Sequence, residues 1–199
     1  MWRNGKAIPG RLVRPAAARP PDGLREEGEL LKIIMLAGDI TGQHVDAIVN
    51  AANPALLGGG GVDGAIHARG GPGILKACRR IRRKDYPQGL PAGEAVITTA
   101  GKLRASWVIH TVGPRYREDE DQDALLASCY WTSMRLACEK GMQTIAFPAI
   151  GAGVYGWPAE RAAAVALQAV TETPWRIPEV RFVLFTEEMQ EAFARAASG

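Results

Sequence analysis

From residue 30 onward, short apolar runs alternate with amphipathic stretches, and turn residues mark most junctions. Residues 30–36 read LLKIIML and stop before Ala37-Gly38, too short a run for a helix, so they predict a buried strand. Residues 46–50 (DAIVN) predict a second strand. The glycine run from Gly58 to Gly61 leads into a helical pattern over 62–69, and after the Gly70-Gly71 break a second helix is predicted over 74–84. Residues 95–99 and 107–112 read as strands, each closed by glycine. A long helix over 121–140 has acidic residues at its start and Lys140-Gly141 at its end, as the helix dipole and a glycine cap favour. A strand over 144–147, a helix over 158–171 opening on proline, a strand over 180–185 and a helix over 187–197 complete the series. Strands alternating with helices, without internal repeats, predict an α/β sandwich with a mainly parallel sheet.

Charge changes this picture only at the front of the chain. The 199 residues carry 24 Lys plus Arg and 21 Asp plus Glu, a net charge of +3. Residues 1–28 hold six of the basic residues and three of the acidic ones, leaving 18 of each from Glu29 onward. The excess therefore belongs to a leader, expected to be disordered or non-native, and the domain at 29–199 is neutral. A basic nucleic-acid-binding body loses support on that ground. Three cysteines (Cys78, Cys129, Cys138) suit free buried thiols in a reducing cytoplasm rather than a disulfide framework. His44, His67 and His110 show no zinc-site spacing, and no run approaches the length of a membrane span. The basic residues Lys76, Arg79, Arg80, Arg82, Arg83 and Lys84 wrap around the second helix and read as a solvated face.

In parallel α/β sheets, ligands bind beyond the carboxyl ends of strands. Three glycine-containing segments sit there: Leu36-Ala37-Gly38-Asp39, residues 50–64, and Ala149-Ile150-Gly151-Ala152-Gly153-Val154-Tyr155-Gly156. Glycine loops let backbone N–H groups approach an anion, and a following helix N-terminus adds partial positive charge, so two such loops suit a diphosphate. Neither is a Walker A loop, and the GxGxxG spelled by Gly151, Gly153 and Gly156 lacks an acidic strand end about 20 residues later, as a dinucleotide fingerprint requires. Asp39 suits either a turn cap or a carboxylate reading an adenine amino group. Asn50 and Asn53 flank Ala51-Ala52, where asparagine commonly holds its own loop. Asp63 stands at a helix start, where capping is the plain alternative to ligand contact. His67 follows one helical turn later and shares its face.

The strings Gly38-Asp39-Ile40-Thr41, Asp46-Ala47-Ile48-Val49-Asn50-Ala51-Ala52-Asn53 and Leu56-Leu57-Gly58-Gly59-Gly60-Gly61-Val62-Asp63-Gly64-Ala65-Ile66-His67 resemble the macrodomains. Ile109-His110-Thr111-Val112-Gly113-Pro114, Ala146-Phe147-Pro148-Ala149-Ile150-Gly151 and Gly153-Val154-Tyr155-Gly156 continue the match, so the resemblance covers about residues 31–197. It is similar most of all to the MacroD-type branch, ADP-ribosylhydrolases that also deacetylate O-acetyl-ADP-ribose. The resemblance implies a three-layer α/β/α sandwich with a mixed, mainly parallel sheet. It implies that Asp39, with Ile40 beside it, accepts the adenine amino group. The backbone of Gly59, Gly60, Gly61 and Val62, with that of Gly151, Ala152, Gly153 and Val154, would hold the diphosphate, and Ile150 belongs to the ligand-binding set. Asn50 joins the ligand-binding set, Asn53 would contact the distal ribose, Asp63 would orient or deprotonate a water, His67 would fix the ribose, and Tyr155 would wall it. Ala152 departs from the Ser or Thr frequent in relatives, which removes a hydroxyl contact to phosphate and predicts a modest affinity change.

The chemistry requires no metal or cofactor. The implied protein is a cytoplasmic monomer acting on mono-ADP-ribosylated proteins or O-acetyl-ADP-ribose, with no membrane partner. A non-catalytic ADP-ribose reader and a hydrolase of ADP-ribosylated nucleic acid are the alternatives.

Overall fold

The computed structural model describes residues 31–173, 175 and 177–198; the leader expected at 1–28 lies outside them. The strands are β1 (Lys32–Ala37), β2 (Ala47–Ala51), β3 (Ala95–Thr99), β4 (Trp107–Thr111), β5 (Thr144–Phe147) and β6 (Glu179–Leu184). The helices are α1 (Gly61–Gly70), α2 (Pro72–Lys84), α3 (Asp123–Glu139), α4 (Ala159–Glu172) and α5 (Glu187–Ser198), and a 3-10 turn spans Ile40–Gly42. Each predicted strand and helix is present with its ends placed to within two residues, and a 3-10 turn is added that the pattern does not show.

The strands form one sheet in the order β1-β6-β5-β2-β4-β3. Every neighbouring pair is parallel except β3 with β4. Only residues 100–106 join β3 to β4, too short a stretch for the helical crossover that a parallel pair needs. Side-chain alternation then sends each strand's residues to two cores. One core joins α3, α4 and α5 to Ala47, Val49, Ile109, Ile145, Phe147 and Phe182. The other joins α1 and α2 to Ile48, Val96, Val108, Ala146 and Val183. The sandwich is therefore three-layered, helices on both faces of a mixed sheet.

Asp46, just before β2, ties the centre of the sheet together. Its Oδ2 accepts from the Gln143 N–H at 2.8 Å, the Thr144 N–H at 2.9 Å and the Thr144 hydroxyl at 3.0 Å. This sets the start of β5 against the start of β2, so the loops after both strands open on the same edge. Among the described residues, no helix is long and apolar enough to cross a membrane. All three cysteines are free; Cys78 and Cys129 are buried as expected, whereas Cys138 is only half-buried.

Candidate functional site

The loop from β2 to α1 shows why the sequence needs glycine there. Gly61 opens α1 with φ of 57°, in the left-handed region. A Cβ on Gly64 would lie 2.5 Å from the Gly59 carbonyl oxygen, so only glycine lets the loop lie against the helix. No side chain caps α1, and its N-cap is Gly60. That leaves the donors and partial positive charge of a helix start available to an anion.

Asp63 lies in this first turn but does not cap it. It is 4% exposed. Its Oδ1 accepts from Asn50 Nδ2 at 2.7 Å, and His67 Nε2 stands 3.4 Å from the same oxygen. Its Oδ2 is buried without a hydrogen-bond partner. A Cβ at Gly59 would stand 3.1 Å from that Oδ2 and 3.2 Å from Asn53 Nδ2. The space kept by the missing side chain is thus within hydrogen-bonding reach of both groups. Asn53 meanwhile holds its loop: Oδ1 accepts from the Ala55 N–H at 3.0 Å and Nδ2 donates to the Gly58 carbonyl at 2.9 Å.

Asn50 takes a position different from the expected ligand contact. Strand alternation turns it inward beneath α1, where it is fully buried. It meets Asp63 on one side and His110 Nδ1, 3.0 Å away, on the other. His110 Nε2 lies 2.8 Å from the Thr98 hydroxyl and 3.7 Å from Cys78 Sγ. Burial, with His67 nearby, pushes the His110 imidazole down to about 3, so it is neutral near pH 7. Sequence spacing hid this cluster because strand pairing, not proximity along the chain, assembles it. It brings one donor atom each from His67, Cys78 and His110 within 4.8 Å of one another. Both His110 nitrogens already have protein partners and burial pushes the Cys78 thiol up to about 12, so these two read as core rather than ready metal ligands, while His67 Nε2 is buried without a hydrogen-bond partner.

The other end of the site is more open. A cavity of about 420 Å³ is lined by Asp39, Ile40, Gly61, Val62, Ala152 and Gly153 from the expected set, together with Gly38, Ala65, Pro148, Ala149 and Val183. Phe185, Thr186 and Met189 also line it, and sequence reasoning missed all three. Phe185 directly follows β6 and is 83% exposed. The strand-end rule points to this position as well, although no glycine marks it. Asp39 caps the 3-10 turn, accepting from the Thr41 N–H at 2.8 Å and the Thr41 hydroxyl at 2.7 Å. Those bonds, hydroxyl first, hold its carboxyl below the usual range, and its side chain stays about half exposed beside Arg69.

The second glycine loop is shaped by Trp157. Gly151 has φ of 87°, and a Cβ there would strike the Trp157 ring at 2.7 Å. Trp157 is buried and donates to the Pro114 carbonyl at 2.9 Å, which makes it packing. Ile150 differs from its expected ligand role: it is fully buried, and its N–H donates to the Tyr130 hydroxyl at 3.2 Å. Gly153 and Val154 are exposed, whereas Tyr155 is half-buried with the Arg115 guanidinium 5.0 Å from its ring centre. Gly59 and Gly60 are exposed at the first loop. On α2, Lys76, Arg79, Arg80, Arg83 and Lys84 are exposed, as a solvated face requires, while Arg82 folds back onto the carbonyls of Ala55 and Tyr86.

Comparison with known proteins agrees with this geometry. The family model described as Macro domain matches residues 49–166. The chain is 59% identical over 163 residues to the Macro domain-containing protein in sno 5'region of Streptomyces nogalater, covering 82% of this chain and 90% of that one. Among solved structures, the Oceanobacillus iheyensis macrodomain with ADP superposes with a TM-score of 0.79 at 42% identity, covering 82% of this chain and 88% of that one. The Trypanosoma brucei macrodomain in complex with ADP-ribose gives 0.73 at 34% identity, covering 83% and 68%.

Proposed function

Since the chain belongs to the Macro domain family, we propose that it binds ADP-ribose and hydrolyses ADP-ribosyl esters, as a MacroD-type enzyme does. The observation that carries the reading is Asp63 Oδ2, buried and unpartnered, beside the space that Gly59 leaves next to Asn53. In this reading, the adenine lies in the open cavity with its amino group on Asp39 and its face against Phe185. The diphosphate crosses the uncapped start of α1 and the loop at 151–154, held by backbone N–H groups.

The distal ribose then reaches the Gly59 space. Asp63 orients a water, or takes its proton, as the water oxygen bonds to the anomeric carbon and the ester oxygen leaves with its carboxylate. A fixed negative charge beside a cation-like sugar stabilises the transition state, and the rigid loops hold the reacting groups in place. With O-acetyl-ADP-ribose the water would instead add to the acetyl carbonyl carbon, its proton passing to the departing ribose oxygen, so that acetate and ADP-ribose are released. His67 and Tyr155 would shape the ribose pocket. In this reading the protein works in the cytoplasm on mono-ADP-ribosylated acidic side chains.

The test is release of ADP-ribose from an ester-linked protein adduct by purified full-length protein, with Asp63→Ala as the control. No release by the wild type, or full activity in Asp63→Ala, defeats the assignment. One observation favours a second reading: both ends of the Asn53 amide are engaged in its own loop. A reader needs no free Asn53, and tight calorimetric binding without turnover would choose it. The exposed basic face of α2 supports ADP-ribosylated nucleic acid as the competing substrate. Turnover on protein-linked and nucleic-acid-linked adducts, compared at equal concentration, separates the two.

A further inference from the structure

Three strands deliver polar side chains to one spot behind Asp63. Asn50 of β2 pairs directly with His110 of β4, and Thr98 of β3 reaches His110 from the antiparallel edge. All three are buried, at 0%, 0% and 4% exposure. The hydrogen-bond directions follow from the acceptor at one end. Asp63 Oδ1 can only accept, so the nearby group of Asn50 must be its NH2. That NH2 also faces His110 Nδ1, which must then be the acceptor, leaving the ring proton on Nε2. Nε2–H donates to the Thr98 hydroxyl, whose own proton goes to the Thr99 carbonyl at 3.1 Å. Every donor has one acceptor, and reversing any single member places two like groups face to face. The orientation leaves Asn50 Oδ1 buried without a partner, a cost the fold accepts.

We propose that His110 and Thr98 are positioning residues for Asp63: they fix the Asn50 amide, which pins Asp63 Oδ1 and leaves Oδ2 facing the Gly59 space. The kinetic consequence rests on the hydrolase reading above; the relay itself does not. The groups facing the imidazole are Asn50, Thr98, Cys78 and, with ring centres 6.0 Å apart, His67. Burial disfavours its cation, which would turn Nδ1 into a donor opposed to the Asn50 NH2.

Long-range proton–nitrogen correlation on the histidine-labelled full chain tests the relay without any substrate. The expected ring is neutral with its proton on Nε2 from about pH 5 to about pH 8; an Nδ1–H tautomer, or protonation near the ordinary value of about 6.5, overturns the relay. Variants then separate positioning from bulk structure. His110→Leu removes both ring contacts, whereas His110→Asn restores an acceptor near the lost Nδ1. His110→Leu is expected to lower kcat on the ester-linked adduct about 10- to 100-fold while ADP-ribose Kd stays within about threefold. His110→Asn should regain at least about tenfold of that kcat, and Thr98→Val should lose about threefold. A wild-type kcat in His110→Leu, a parallel loss of kcat and affinity, or no rescue by His110→Asn overturns the proposal. If His110→Leu does not fold, the tautomer and the Thr98→Val kinetics decide. A wild type without turnover defeats the hydrolase reading alone. The relay is then judged on the tautomer and on the Asp63 carboxyl carbon signal, which should move in His110→Leu and return in His110→Asn; an unmoved signal overturns it.

Discussion

On the face of the sheet covered by α3, α4 and α5, Tyr130, Phe147, Phe182 and Phe193 pack ring against ring, with centres 4.9 to 6.2 Å apart. On the face covered by α1 and α2, neighbouring strands present Asn50, His110 and Thr98 among Ile48, Val96 and Val108. The first face stabilises by area and shape, which are non-directional and tolerate repacking of similar volume. The second depends on direction, since each buried polar group there needs its own partner. Placing the polar residues on one face lets the other carry the stability. The molecule can thus keep an unpartnered carboxylate oxygen at its candidate site.

Mutations on each face break or sharpen this contrast. The largest effect is expected from Asp63→Ala, which should lower ADP-ribose release about a thousandfold; retained turnover would strip the polar face of its function. Phe182→Ala, on the apolar face, should destabilise by about 3–5 kcal/mol in urea titrations. Its remaining folded fraction should bind ADP-ribose with unchanged affinity, and a loss below about 1 kcal/mol would mean that this face does not carry the fold.

Acid should weaken the polar face selectively. His110 is neutral in the fold down to about 3, whereas an unfolded histidine protonates near 6.5. Between those values the unfolded chain binds one more proton, so the contribution is complete above about pH 6.5 and is lost as pH falls toward 3. The slope is about 1.4 kcal/mol per pH unit. Unfolding free energies at pH 4 to 6 should therefore fall less steeply in His110→Asn than in the wild type, and equal slopes would remove His110 as the cause.

Smaller effects are expected at the open end of the cleft. Asp39→Ala should weaken ADP-ribose about tenfold by calorimetry, the scale of one charge-assisted hydrogen bond. Phe185→Ala should weaken it about threefold, by lost stacking on the adenine. Losses larger than that of Asp63→Ala in turnover would shift the weight of the site to its open end.

Much of this was legible in the chain. Apolar runs bounded by glycine located the strands, and the glycine loops marked two of the strand ends that line the cavity. The antiparallel turn of β3 was readable too, from the short stretch at 100–106, though the periodicity of a strand carries no sign of direction. Phe185 carries no site signal in the sequence because an aromatic at the end of an apolar strand looks like core; in the fold it is exposed and lines the cavity. His110 gave no local signal, since its partners lie 12 and 60 residues away.

The sequence by itself determined the order of elements, the glycine loops at the strand ends, and the placement of Asp63 and His67 one helical turn apart. These rest on local periodicity and on backbone conformations that few residues other than glycine adopt. Tertiary structure alone decided that Asn50 supports Asp63 from behind and that Asp63 Oδ2 is left unpartnered. Hydrogen bonds depend on tenths of an ångström between groups from β2, β3, β4 and α1, and only the packed sheet and helices set those distances.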